Sequence, residues 1–227
     1  MLLRVLEPEV MDTEEEAADY DAMDHAAVND AFCTDFIAAM GDSNFGGRVL
    51  DVGTGTALIP IALCKKQHAV QVVALDLAKH MLARARSNVE SAGVAKRIEL
   101  VLRDAKKSDF PERSFDAVIS NSIVHHIPNP ADALASMWSL VANGGLLFVR
   151  DLFRPESDDA VRQLVETYAP TGDTRTNRQR ALFEASLRAA LTPAEVETAA
   201  TRAGIANASV RVTSDRHWTL TAHRASA

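Results

Sequence analysis

A glycine-rich turn between an apolar strand and a helix is the first segment of this sequence whose residue types could bind a ligand. It runs Val49-Leu50-Asp51-Val52-Gly53-Thr54-Gly55-Thr56-Ala57. Glycine at positions 53 and 55 permits a tight turn and lets a ligand approach the backbone without a Cβ in the way. A dinucleotide-binding fingerprint needs a third glycine where the sequence has Leu58, so a nucleotide-dependent dehydrogenase is a weak hypothesis.

A carboxylate at the end of the next apolar run could bind a ribose. Asp76 follows Val72-Val73-Ala74-Leu75, and its two oxygens can accept hydrogen bonds from both ribose hydroxyls. The alternative is that Asp76 only caps the helix that starts near Ala78. Met81 and Leu82 on that helix could pack against an adenine ring, or they could be ordinary core residues.

Five ordered motifs resemble those of the class I S-adenosylmethionine-dependent methyltransferases. Asp51, Gly53 and Gly55 match the family's first motif, an acidic residue followed by GxGxG, although Ala57 replaces the last glycine. The other matches are Asp76, Arg103-Asp104-Ala105, the segment 110–116 and Asn143-Gly144-Gly145. Segment 110–116 is similar to that of ubiquinone and menaquinone biosynthesis methylases. The resemblance is close over residues 46–151 and loose over the terminal helix and hairpin.

This resemblance implies S-adenosyl-L-methionine as the cofactor and methyl transfer to a small molecule through an oxygen, sulfur, carbon or nitrogen nucleophile. The implied cofactor-binding residues are Tyr20, Asp51, Gly53, Gly55, Asp76, Leu77, Met81, Asp104, Ala105 and Asn121. For Asp104 the implied partner is the adenine amino group, and for Tyr20 the carboxylate end of the cofactor. The alternatives are a packed turn around Asp51, a solvated Asp104 and a packing role for Tyr20.

The chemistry of methyl transfer places few demands on the protein. Because the sulfonium leaving group is already activated, alignment in a dry pocket can supply most of the acceleration, and a catalytic base is optional. No single residue is therefore indispensable for this reaction. A catalytically silent S-adenosylmethionine-binding regulator or partner subunit is accordingly the second functional hypothesis.

Three histidines are candidates for a general base, since imidazole titrates near neutrality. His125 and His126 follow the fourth predicted strand, in a segment without the acidic-or-Asn-Pro-Pro-aromatic pattern of enzymes that methylate adenine or glutamine. The alternative for this pair is a place beside the cofactor or in the core. His217 belongs to the turn of a predicted hairpin, which lies at the cofactor's edge of the sheet if the sixth strand is parallel to the others.

Other polar residues near strand ends are candidates for contact with the acceptor. Asp151 and Arg154 follow the fifth strand and could orient a polar substrate or form a surface ion pair. Arg216 and Trp218 would offer a cation and an aromatic wall, or else an ordinary polar turn with Trp218 in the core. A further set could clamp an anionic substrate or remain solvated: Arg175, Arg178 and Arg180.

Length, charge and cysteine content indicate which classes of function are disfavoured. The chain has 227 residues, a net charge of −7 and no long basic block, which disfavours binding to nucleic acid or an anionic membrane through bulk charge. Two cysteines without metal-ligand spacing predict no disulfide framework and no metal site. Without a signal-like or 18-residue apolar run, a cytoplasmic protein without a membrane span is expected. The expected partner is a small-molecule methyl acceptor, and a homodimer is left open.

Alternating strand and helix patterns predict an α/β fold, a Rossmann-like doubly wound sheet of seven mostly parallel strands with an antiparallel strand in a C-terminal hairpin. Predicted strands are 49–51, 70–76, 98–103, 115–120, 146–150, 208–213 and 217–222. Helices are expected over 57–66, 78–92 and 130–141, in the flanking segments 13–40 and 156–192, and from 193 onward. We expect one domain over residues 1–227, with a helical cap (1–45), a cofactor-binding core (46–151), a substrate-cap insertion (152–192) and a terminal helix and hairpin (193–227).

Overall fold

The computed structural model describes residues 2–7, 12–23, 25–106, 109–169 and 171–226, and its centre is one seven-stranded sheet. The strands are β1 (Arg48–Val52), β2 (Gln71–Asp76), β3 (Ile98–Leu102), β4 (Phe115–Asn121), β5 (Val141–Leu152), β6 (Ser209–Val212) and β7 (His217–His223). Their order is β3-β2-β1-β4-β5-β7-β6. β7 alone among these runs antiparallel to its neighbours β5 and β6, so the predicted fold class is confirmed.

Side-chain alternation along the strands builds two cores, one on each face of the sheet. In β1, Val49 packs into one apolar cluster and Leu50 into the other. β2 repeats the alternation with Val72 and Val73. Strands that are apolar on both faces are typical of a parallel sheet covered by helices.

The helices cover both faces. They are α1 (Glu14–Asp21), α2 (Ala26–Met40), α3 (Leu58–Lys66), α4 (Lys79–Ser91), α5 (Pro130–Leu140), α6 (Asp158–Tyr168), α7 (Thr174–Ala189) and α8 (Pro193–Arg202), with a 3-10 turn at Val124–His126. Most buried residues of α2, α3 and α4 belong to the cluster of Val49, and those of α5 and α8 belong to the cluster of Leu50. None of the described helices is both long and apolar enough to cross a membrane.

Capping chemistry sets several helix starts. Thr13 and Glu16 form a capping box at α1, and Thr192 and Glu195 form another at α8. At α5, Asn129 occupies the N-cap position and Pro130 the first turn, but the Asn129 amide donates to the Asp132 carboxylate at 2.7 Å and its side chain caps no backbone group.

β5 is much longer than the predicted strand 146–150. It begins at Val141, and its pairing with β4 shifts register between Phe115 and Ala117. Gly145 lies so close to β4 that an added Cβ would stand 2.7 Å from the carbonyl oxygen of Asp116. Gly144 and Gly145, which precede the predicted strand, are therefore part of β5.

Candidate functional site

A cleft opens where the carboxyl ends of β1, β2, β3 and β4 meet. Its space between protein atoms, counted to the open mouth, is about 840 Å³. Every predicted cofactor-binding residue except Asp51 lines it: Tyr20, Gly53, Gly55, Asp76, Leu77, Met81, Asp104, Ala105 and Asn121. Asp51 lines a smaller adjoining cavity, which shares Tyr20, Gly53 and Asn121 with the cleft.

The turn after β1 forms the floor of the cleft. Gly53 has φ +75° and Gly55 has φ +55°, a region that L side chains rarely adopt. A Cβ on Gly53 would lie 2.3 Å from Cγ2 of Ile123, which also lines the cleft. Ala57, where the family pattern has its third glycine, also has a positive φ of 62°, so the backbone keeps the conformation that glycine favours.

The Asp76 carboxylate is held beside this turn. One oxygen accepts a hydrogen bond from the Gly55 N–H at 2.7 Å, and the other accepts one from the Ala78 N–H at 2.9 Å. Burial raises the pKa of Asp76, and these backbone donors oppose that shift. Asp76 therefore does bind the backbone near the start of α4, while each of its oxygens keeps acceptor capacity for a ligand.

The smaller cavity contains two groups whose protonation is strongly affected by burial. Burial raises the pKa of Asp51 to about 7. It also raises the pKa of Tyr20 to about 12. The Tyr20 ring lies over the turn, with Cε1 3.5 Å from the place of a Gly55 Cβ. The side-chain oxygen of Asn121 is buried there and has no hydrogen-bond partner within the described part of the chain.

The two histidines after β4 have different surroundings. His126 lines the cleft, whereas His125 is buried behind it with 3% of its side chain exposed. His125 Nδ1 lies 2.6 Å from an oxygen of Asp151. Burial favours the neutral ring of His125, but the Asp151 carboxylate outweighs burial and raises the pKa of His125. Asp151 therefore orients His125 and does not line the cleft.

Sequence reasoning missed a third group at this position, the Glu7 carboxylate. One of its oxygens lies 3.3 Å from His125 Nε2 and 3.3 Å from His126 Nδ1. Arg4 fixes the preceding segment by donating to the carbonyl oxygens of His125, Ile127 and Ala189. Burial raises the pKa of Glu7. No local sequence pattern connects Glu7 with histidines so distant along the chain.

The predicted acceptor contacts at the hairpin do not reach the cleft. β6 is parallel to the first five strands, as the hypothesis required, but β5 and β7 separate it from β4. Trp218 is fully buried in the core. Arg216 lies 3.5 Å over the Tyr168 ring and pairs with Asp215. Burial lowers the pKa of His217 to about 4, and its Nδ1 lies 2.8 Å from the Ser214 hydroxyl.

The remaining predicted substrate cations also have structural partners. Arg154 is buried, pairs with Glu195 at 2.6 Å and donates to the carbonyl oxygens of Leu2 and Ala190. Arg175 and Arg178 pair with Asp19 of α1. Arg180 donates to the carbonyl oxygens of Val165 and Ala169. These side chains join the helices around the cleft and do not line it.

The residues of the cleft could hold the parts of S-adenosylmethionine. Asp76 could accept hydrogen bonds from ribose hydroxyls, and Leu77 and Met81 could pack against adenine. The unpartnered oxygen of Asn121 needs a donor. Because Gly53 and Gly55 lack side chains, the backbone is open to close approach.

Comparisons with known proteins show which domain and fold this chain resembles. Residues 50–149 match the family model described as a methyltransferase domain. The chain is 38% identical over 108 residues to a phosphatidylethanolamine N-methyltransferase of Cereibacter sphaeroides, covering 48% of this chain and 52% of that protein. It is 32% identical over 125 residues to a ubiquinone/menaquinone biosynthesis C-methyltransferase of Pseudomonas fluorescens, covering 55% and 48%. The matched chain thus spans about half the length of these curated relatives.

A solved structure extends the similarity beyond the matched domain. The S-adenosylmethionine-dependent methyltransferase of Aquifex aeolicus superposes with a TM-score of 0.68 at 18% identity, over 94% of this chain and 99% of that one. At this identity the likeness shows the fold. Residues 50–149 thus match a methyltransferase domain, and nearly the whole chain has the fold of an S-adenosylmethionine-dependent methyltransferase.

Proposed function

We propose that this protein transfers the methyl group of S-adenosylmethionine to a small-molecule acceptor by in-line displacement. The observation that carries the proposal is the single cleft that has Asp76 and the glycine turn at one side and His126 at the other. The bound cofactor supplies an activated methyl group on a sulfonium. As the acceptor atom forms a bond to the methyl carbon, the carbon–sulfur bond breaks and its electron pair stays on sulfur.

The chain's own residues hold the cofactor in this proposal. Asp76 accepts hydrogen bonds from the ribose hydroxyls, and Leu77 and Met81 pack against the adenine ring. Asp104 accepts from the adenine amino group. The methionine end lies toward the smaller cavity, near Tyr20, Asp51 and Asn121, where the unpartnered Asn121 oxygen finds a donor. The Tyr20 ring then excludes water from the turn.

The acceptor enters from the side of the cleft where His126 and Ile127 lie. His126 contacts the acceptor and orients it toward the methyl group, while the buried His125 supports this wall from behind through Asp151. In this proposal the acceptor is selected by N-terminal residues next to the cleft, namely Tyr20, which lines it, and Glu7, which lies beside His126. The names of the relatives suggest two classes to try first, quinol-like rings and ethanolamine head groups.

Cofactor affinity tests the assigned site. Asp76→Ala removes charge-assisted hydrogen bonds of about 1.5–3 kcal/mol, so we expect S-adenosylhomocysteine to bind about 10- to 150-fold more weakly by calorimetry. Glu90→Ala is the matched control, because it removes an exposed carboxylate from α4. Unfolding midpoints of both variants report whether they fold. Equal affinity in folded Asp76→Ala and wild-type protein would refute the assignment.

Methyl transfer needs a separate assay. The wild-type protein is incubated with S-adenosylmethionine and a panel of quinols, phenols, thiols and ethanolamine phosphates, and mass spectrometry measures S-adenosylhomocysteine and methylated product. We expect stoichiometric formation of both with at least one acceptor class. Tight cofactor binding without any product across the panel would favour the silent regulator over the enzyme.

A further inference from the structure

Glu7, His125 and His126 bring three ligating atoms to one point at the edge of the cleft. These atoms, one from each side chain, all lie within 4.8 Å of one another. The Glu7 side chain is 8% exposed and that of His125 is 3% exposed. The two imidazole rings lie 4.1 Å apart between centroids. Such a buried carboxylate beside two imidazoles differs from a cluster of solvated acidic side chains.

The oxygen of Glu7 that faces the imidazoles, Oε1, is buried. No donor in the described part of the chain forms a hydrogen bond with it. Both of its contacts to imidazole nitrogens are 3.3 Å long. Ligands about 2.0–2.2 Å from a tetrahedral zinc ion lie about 3.3–3.6 Å apart. The spacing therefore suits ligands that share an ion.

Asp151 supplies the outer partner that such a site requires. Its carboxylate lies 2.6 Å from His125 Nδ1 and also accepts the backbone N–H groups of His125 and Leu152. Because the Asp151 carboxylate can accept the Nδ1 proton, Nε2 is the nitrogen of His125 that is left to bind an ion beside Glu7. Histidine ligands of metals commonly donate their other ring N–H to a carboxylate, which fixes the tautomer and the ring orientation.

The N-terminal segment is positioned to deliver the carboxylate. Arg4 binds the backbone of the 3-10 turn that carries both histidines, and the Val5 N–H donates to the Arg188 carbonyl oxygen at 3.1 Å. Glu7 thus reaches the cluster from a segment fixed to that same turn and to α7. Among the described residues, the charges that act on His125 are the carboxylates of Asp151 and Glu7 and the guanidinium of Arg4, so negative charge prevails and favours a cation.

We propose that Glu7, His125 and His126 bind a divalent transition-metal ion, with zinc the expected ion, beside the acceptor end of the cleft. Two imidazoles and one carboxylate with an open position are a ligand set that zinc uses in catalytic sites. Since His126 also lines the cleft, the open position is available to an oxygen, nitrogen or sulfur atom of the acceptor. The inference does not rest on the proposed function, because ion binding is measured without methyl transfer.

Metal titration of the full chain, freed of metal with a chelator, tests the proposal. Zn²⁺ is titrated by calorimetry, and Co²⁺ is used as a visible-absorption probe of its ligands. We expect one ion per chain and a Co²⁺ spectrum of low coordination number with nitrogen ligands. Glu7→Gln keeps the shape of the side chain and should weaken Zn²⁺ binding more than about tenfold, the lower limit found even for outer partners.

A histidine variant and its control complete the test. His126→Asn should weaken binding to a similar extent, whereas His68→Asn, which changes an exposed histidine far from the cluster, should leave it unchanged. Thermal melts with and without Zn²⁺ establish that each variant folds. Failure of wild-type protein to bind Zn²⁺ saturably, or wild-type affinity in folded Glu7→Gln and His126→Asn, would overturn the proposal.

Discussion

Replacing Gly53 with alanine tests whether the turn after β1 must be built from glycine. Two effects oppose the new methyl group. The backbone there has φ +75°, which costs an L-residue about 1–2 kcal/mol. The Cβ would also stand 2.3 Å from Cγ2 and 3.0 Å from Cδ1 of Ile123, and overpacking of this kind costs about 1–3 kcal/mol.

The two effects together predict that Gly53→Ala lowers the free energy of unfolding by about 2–5 kcal/mol. Gly93→Ala separates them, because Gly93 has φ +70° with nothing within 4 Å of its added Cβ. That variant should lose only the backbone contribution of about 1–2 kcal/mol. In the double variant Gly53→Ala/Ile123→Ala the clash is removed, so its loss should be about 1–3 kcal/mol smaller than the sum of the single losses.

Urea unfolding followed by circular dichroism measures these differences. Because Gly53 and Ile123 both line the cleft, S-adenosylhomocysteine affinity should fall with Gly53→Ala and stay unchanged with Gly93→Ala. The reasoning would be refuted if Gly53→Ala and Gly93→Ala were destabilised equally, or if the double variant showed simple additivity.

Three further predictions concern buried ionisable side chains. Arg154→Met should lower the free energy of unfolding measured in urea by about 2–3 kcal/mol, because it leaves Glu195 and the Ala190 carbonyl oxygen without their guanidinium donor. A change below 0.5 kcal/mol would contradict this prediction. In the folded protein the pKa of His217 is about 4, whereas its ordinary value is 6.5. Between pH 4 and pH 6.5 the unfolded chain therefore binds more protons than the folded one, and the free energy of unfolding should decrease as pH falls through this range. His217→Asn should flatten that part of a urea-derived stability profile, and an unchanged slope would count against the buried neutral ring. The pKa of Asp51 is about 7, so binding of the cationic end of the cofactor should displace the proton of the Asp51 carboxyl group. Cofactor affinity should therefore rise with pH up to about 7. Calorimetry in buffers of different ionisation enthalpy should show proton release on binding, and Asp51→Asn should abolish that release.

Local sequence patterns predicted most of the sheet and of the cofactor side of the cleft. The strand, turn and helix that contain Asp51, Gly53 and Gly55 are contiguous, so their geometry follows from neighbouring residues. Asp76 could be placed for a similar reason, because the carboxyl ends of parallel strands meet at one edge of the sheet.

The other side of the cleft could not be predicted because it depends on contacts between distant parts of the chain. Glu7 reaches His126 from a distant segment, which the Arg4 side chain and the Val5 backbone hold in place by hydrogen bonds. The hairpin was placed at the correct edge of the sheet, but its distance from the cleft depends on strand order. A residue near a strand end can either line a binding site or pack in the protein interior, and the local sequence is the same in both cases. In the structure Trp218 and Arg154 are buried in the interior.

The position of the ribose in a crystal structure with S-adenosylhomocysteine tests the central claim most directly. The account predicts both ribose hydroxyls within about 3.0 Å of the Asp76 oxygens, the adenine ring against Met81 and the sulfur atom facing the side of His126. A ligand bound outside this cleft, or inside it with the ribose away from Asp76, would contradict the account.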